Sequence, residues 1–226
     1  MRLRRSRLTR ERLDGTVVDI EFLLIAVIQG LAITTLAVES EHVIGDLEWE
    51  YMPYVLAGFV LILNFWSLAI IHSVSFISWP FDIVHTLLYL LAAFVEVAAF
   101  AQITHPAKWF IFMFGFFLVS FVLYLWDARM VREHREDFQD TPERAALYAH
   151  IDSRQRMELK FLLPAALVFH GLIVLSLWLW PALIMEGERH VLVVALQLLT
   201  GILYLAGTIR SFRERERLIS ACIEDE

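Results

Sequence analysis

Residues 109–126 read WFIFMFGFFLVSFVLYLW, from Trp109 to Trp126, with no charge in the run. Ser120 is its only hydrogen-bonding side chain between Trp109 and Tyr124. At about 1.5 Å per residue, such a run matches the ~30 Å hydrocarbon core of a bilayer, so it reads as a helix that crosses a membrane. Its almost wholly apolar composition predicts that this helix faces lipid.

Outward from it, five further segments have the length and apolarity to span, at about 17–38, 53–76, 81–103, 161–180 and 190–209. Over the 226 residues, 58% are hydrophobic and 20% charged, with mean hydropathy +0.61. A soluble domain of that length needs more polar surface, and here the charges gather in blocks between long apolar runs. Trp79-Pro80 separates the second and third segments. Proline lacks the N–H and pushes its predecessor out of the α region, which favours a tight hairpin over one long helix. The basic Met1–Arg12 stretch before the first segment looks like a secretory leader. The apolar run after it is longer than a leader's core of about 7–15 residues, so it is read as an uncleaved first span.

The Lys/Arg distribution gives the orientation. Residues 1–16 hold six arginines, 127–160 hold seven basic residues, and the tail from Arg210 holds four. Only Lys108 and Arg189 fall elsewhere. With six crossings and the N-terminus inside, 17 of 19 basic residues are cytoplasmic, as the positive-inside rule asks. The expected fold is therefore an all-α, polytopic integral membrane protein, a six-transmembrane-helix bundle with N and C termini cytoplasmic, in the plasma (inner) membrane. Its parts are a basic N-terminus (1–16), helices one to four (17–126), a cytoplasmic helical hairpin (127–160), helices five and six (161–209) and a tail (210–226). In the hairpin, Thr141-Pro142 is a helix start, a capping side chain followed by proline at the first helical position, with a turn near Gln139-Asp140. The lone Cys222 excludes an intrachain disulfide. Phosphate-binding glycine loops, zinc spacings and a serine elbow are absent, and no nucleic-acid partner and no cofactor is expected.

Polar side chains inside the spans carry the functional reading, because facing lipid is costly for them. Asp82, His85, Tyr89 and Glu96 fall at spacings that put them on one face of helix three, with Ala92 and Ala99 leaving room beside them. Glu96, about two-thirds of the way across, must be protonated, paired or open to water. It is either a hydrogen-bonded lock between helices or a proton or cation site. Asn64 on helix two, Gln29 on helix one, His170 on helix five and Gln197 on helix six lie near mid-depth. Pro164 is expected to kink helix five. With Tyr89, these residues and Glu96 are candidates for a transport pathway, and Glu96 with His170 for a buried pair. At the cytoplasmic ends, Asp19, Glu21, His72, Asp82 and His85 form a candidate vestibule whose donors also suit a metal. The acidic residues of 39–52 are either a solvated loop or a negative outer mouth. Trp49, Tyr51, Tyr54, Trp109, Trp178 and Trp180 are expected at the outer interface, and Trp79 and Trp126 at the inner one.

Ala32-Ile33-Thr34-Thr35-Leu36-Ala37-Val38-Glu39 resembles the first helix of bacterial relatives of the lysosomal potassium channel. That family's Phe-Ser-Asp signature is missing here, its positions reading Leu24-Ile25-Ala26, and no family role is carried across. The expected function is a small cation or proton channel or transporter, a homo-oligomer, with a polar pathway around Glu96. The alternative is a membrane-embedded sensor whose 127–160 segment binds a cytoplasmic protein partner. An intramembrane enzyme or a haem protein using His72, His85 or His170 is a third reading.

Overall fold

The computed structural model describes the backbone of residues 2–75, 82–133, 135 and 141–224, and the side chains of 23–71, 82–133, 135 and 141–222. The turn with Trp79-Pro80, the Gln139-Asp140 turn and His134 lie outside the described residues. Among the described residues eight α-helices follow one another: α1 (Arg2–Gly45), α2 (Met52–Ser75), α3 (Ile83–Phe100), α4 (Pro106–Glu133), α5 (Pro142–Met157), α6 (Leu163–Leu179), α7 (Pro181–Met185) and α8 (Arg189–Glu224). Six helical stretches among the described residues are long and apolar enough to cross a membrane, and each contains or overlaps one of the six expected segments.

The terminal charged segments are continuations of spanning helices. α1 starts in the arginine-rich N-terminus and α8 runs on to Glu224. Between the last two spans, short α7 and a 3-10 turn reverse the chain, with Gly187 at φ 62°, left-handed backbone that glycine adopts without strain. Thr141 caps α5 as expected: its backbone is extended, its Oγ1 accepts from the Arg144 N–H at 3.3 Å, and Pro142 takes the first helical position. α5 then widens into a π turn over Glu158–Leu162 before α6. Pro164 cannot donate to the carbonyl four residues back, and the widened turn sits where that bond would be lost.

The helices form a ring. α1 packs on α2 and α3, α2 continues to α8, and α3 continues to α4 and then α6. Small residues permit the closest approaches. A Cβ on Gly58 would stand 3.0 Å from Leu36 Cδ1 of α1, and one on Gly201 would stand 3.0 Å from Val60 Cγ1 of α2. α5 lies along the far half of α8, where Val131, Leu147, Ile151 and Cys222 cluster with Leu218 and Ile219. The hairpin is thus committed on one face to the tail helix.

One expectation is corrected. α4 is not a lipid-facing helix: it sits between α3 and α6 and buries Trp109, Phe110, Met113, Phe116, Ser120, Leu123, Tyr124 and Asp127. Only its opposite face, with Ile111, Leu118, Val122 and Leu125, is exposed. Phenylalanine suits lipid and a protein interior equally well, so composition could not tell the two apart. Of the aromatic residues expected at the outer interface, Tyr54 and Trp109 are fully buried and meet edge to face at 5.4 Å between ring centroids, whereas Trp49, Trp178 and Trp180 are exposed.

Candidate functional site

A cavity of about 500 Å³ opens inside the ring, walled by α1, α2, α3, α4, α6, α8 and the π turn before α6. α6 and α8 both line it without packing closely on each other. Its wall is chiefly apolar and aromatic, and it has polar groups at three depths. For description, the end of the bundle holding Arg129, Arg154 and Arg215 is called the basic end.

Farthest from the basic end is a chain of hydrogen bonds. The Trp109 Nε1–H can only donate, so at 3.2 Å it fixes the amide oxygen of Gln197. The Gln197 Nε2 group then donates to His170 Nε2 at 2.7 Å, and His170 Nδ1 donates to the Ala166 carbonyl at 2.7 Å. Every donor meets an acceptor and only one tautomer of His170 serves, the one with its proton on Nδ1. Phe117 lies against that ring, 4.4 Å between centroids. Close by, at the end of the bundle opposite the basic one, Tyr54 Oη meets His190 Nδ1 at 2.9 Å.

At mid-depth, Asn64 donates to the Val60 carbonyl on its own helix and to the Gly201 carbonyl of α8, each at 3.0 Å, tying α2 to α8. Its Oδ1 is buried and takes no hydrogen bond, and the same is true of Ser120 Oγ on α4. Tyr89 stacks on Phe65 at 4.8 Å, and Phe65 meets Phe116 edge-on at 5.6 Å.

The basic-end floor is ionic. His85 Nε2 lies 3.2 Å from Asp127 Oδ1. Glu158, placed by the π turn, receives the Arg154 Nε–H at 2.7 Å and the Tyr204 hydroxyl at 3.1 Å, both on Oε1. Tyr124 Oη is 3.4 Å from Tyr204 Oη, and the Arg154 guanidinium lies over the Tyr204 ring at 5.7 Å. Arg215 is also buried beside this group.

The structure separates the expected pathway residues. Asn64, Tyr89, His170 and Gln197 line the cavity; Glu96 and Gln29 do not. Glu96, fully buried, sits in the seam between α3 and α1 with Gln29 as its polar neighbour, and Gln29 also approaches Tyr89. Approach is all it is: both Glu96 oxygens, both Gln29 amide atoms and Tyr89 Oη are buried without a formed hydrogen bond. The expected Glu96–His170 pair does not form, since both His170 nitrogens are engaged elsewhere and neither Glu96 oxygen has a partner. The room expected beside Ala92 and Ala99 is filled, because both residues are fully buried in packed clusters.

The expected vestibule also divides. The side chains of Asp19, Glu21 and His72 lie outside the described residues. Asp82 caps its own helix, its Oδ1 accepting from the N–H groups of Val84 at 2.7 Å and His85 at 2.9 Å. Burial pushes this carboxyl up, but the His85 N–H, the nearby Trp126 side chain, the Val84 N–H and the His85 ring together outweigh it and hold it below the usual carboxylate range. The His85 ring reaches Asp127. Among the described residues no group of three or more His, Cys, Asp or Glu side chains is placed to hold a metal. Both ring nitrogens of His170 are hydrogen-bonded.

The sequence reading missed the ionic floor: Asp127, Glu158, Arg154, Arg215, Tyr124 and Tyr204. A signal for part of it is present, because Ser120, Tyr124 and Asp127 follow one another at four and three residues down one face of α4. No protein-family model matches the chain, and no curated protein and no solved structure matches it at a significant level.

Proposed function

We propose that this multi-pass membrane protein binds a small molecule with an apolar body inside its helix ring, as a carrier or receptor for a bilayer-soluble compound. The cavity carries this reading. Its volume of about 500 Å³ falls in the usual range for small-ligand sites, ~300–1,000 Å³. Its wall joins broad apolar surface to a few hydrogen-bonding groups, the composition of a ligand site. The arginine and lysine distribution supports an orientation with both termini cytoplasmic, which puts the basic end at the cytoplasmic face.

Ala166→Phe fills the cavity from α6. Native mass spectrometry of the purified protein is expected to show a stoichiometric small-molecule adduct that this variant loses. Neither an adduct nor saturable uptake of the neutral dye Nile red above the Ala166→Phe background would overturn the reading.

A second reading, proton or cation passage through Glu96, is favoured by one observation: a mid-membrane carboxyl with no bonded partner. Flux in liposomes separates the two. The pathway reading expects Glu96→Gln to abolish a measured proton or cation flux; an unchanged flux rules it out.

A further inference from the structure

We infer that the ligand of this cavity is an uncharged hydrocarbon, a chain or ring system with at most one weak polar group, held by shape and dispersion. This inference rests on the cavity reading and adds the class of ligand.

The polar groups of the wall bond to the protein itself. Among the described residues no lysine or arginine lines the cavity, and each carboxylate or imidazole that does already has a partner. Glu158 takes the Arg154 Nε–H at 2.7 Å and the Tyr204 hydroxyl at 3.1 Å, with Arg215 beside them. Asp127 Oδ1 stands 3.2 Å from His85 Nε2, and both nitrogens of His170 are bonded. A guest thus meets no unpaired charge of either sign.

The donors are committed in the same way. Asn64 gives its amide N–H groups to the Val60 and Gly201 carbonyls, and the hydroxyls of Thr86 and Thr200 donate to the carbonyls of Asp82 and Leu196. Trp109 donates to Gln197, and Gln197 to His170. Asn64 Oδ1, Tyr89 Oη and Ser120 Oγ are inaccessible, so they serve no guest. Gln197 carries a second amide N–H, enough for one weak acceptor and short of what a carboxylate or phosphate requires. An ionised guest would leave its solvation behind and recover little of it here.

What the wall does offer is apolar surface. Ile25, Leu61, Phe65, Phe117, Phe169 and Leu196 line the cavity from α1, α2, α4, α6 and α8. A buried water needs about 2–4 hydrogen-bonding partners, and apolar cavities that lack them stay dry and take up hydrocarbons. Left empty, about 500 Å³ of such space forfeits dispersion contacts along its lining. A hydrocarbon drawn from the bilayer restores those contacts and brings no polar group in need of a partner.

Diphenylhexatriene and its trimethylammonium and propionate derivatives share one fluorophore and differ in charge. The full-length protein in lipid nanodiscs is expected to show saturable energy transfer from tryptophan to diphenylhexatriene above the Ala166→Phe background. Both charged derivatives should bind about tenfold or more weakly. Excess hexadecane should displace the probe where hexadecanesulfonate does not, a measurement that needs no variant. A charged derivative that binds as tightly as the hydrocarbon, or equal displacement by the sulfonate, overturns the inference and leaves the cavity reading standing. Saturable transfer to none of the three probes, with no Nile red uptake above the same background, removes the cavity reading and the inference together.

Discussion

Two sets of buried polar residues could hardly differ more. Along Trp109, Gln197, His170 and the Ala166 carbonyl, each donor has one acceptor at 2.7–3.2 Å, and α4, α8 and α6 are joined by the chain. Across the α1–α3 seam, Gln29, Tyr89 and Glu96 are buried just as deeply, yet none of their side-chain polar atoms completes a bond. The first set holds helices together. The second carries an unrecovered desolvation cost, and a group that stays buried on such terms is ready for a proton, a water or a partner. Depth alone does not mark function in a membrane helix. What separates the two sets is whether their hydrogen bonds are complete.

The largest effect should come from breaking the complete set. Gln197→Leu strands both the Trp109 donor and the His170 acceptor, and leaving buried groups unpaired costs about 1–3 kcal/mol each. A thermal or denaturant midpoint measured in detergent should fall accordingly. A double-mutant cycle between His170 and Gln197 should then return a coupling of about 0.6–2 kcal/mol, the range for interhelical hydrogen bonds. Zero coupling would mean that the chain is not the lock described here.

Asp82→Ala, which removes a helix cap, should cost about 1 kcal/mol at neutral pH. Because the folded carboxyl lies below its usual range, this contribution is present above about pH 4 and disappears as pH falls through the lowered value. The smallest effect belongs to the incomplete set. Glu96→Gln breaks no bond, so stability should change by less than about 0.5 kcal/mol. A loss as large as that of Gln197→Leu would erase the distinction between the two regions.

Much of this contrast lay beyond reach of the sequence. The six spans, the Thr141 cap and the inward placement of Asn64, Tyr89, His170 and Gln197 followed from run length and from the cost of polar groups in lipid. Whether those polar groups bond each other depends on the rotation and register of separate helices, which one chain's periodicity does not encode. That is why His170 is joined to Gln197 when Glu96 was expected. α4 misled for a related reason: its few polar side chains were outweighed by phenylalanine, although three of them share the cavity-facing stripe. The ionic floor depends on the π turn at Glu158, and a break in helical phase moves side chains off the faces that regular spacing assigns.

The continuity of α8 has a mechanical consequence. Gly201 touches the cavity and Cys222 touches α5, and the 21 residue steps from one to the other span about 31 Å of uninterrupted helix. Such a rod acts as a lever. A tilt of roughly 2° at cavity level, the scale of a side chain making way for a guest, displaces the far tip by about 1 Å, comparable to the helix shifts that switch other proteins. The clasp of Leu147 and Ile151 on Leu218 and Cys222 thus sits where a change inside the ring is magnified and laid against the arginine-rich surface of the molecule.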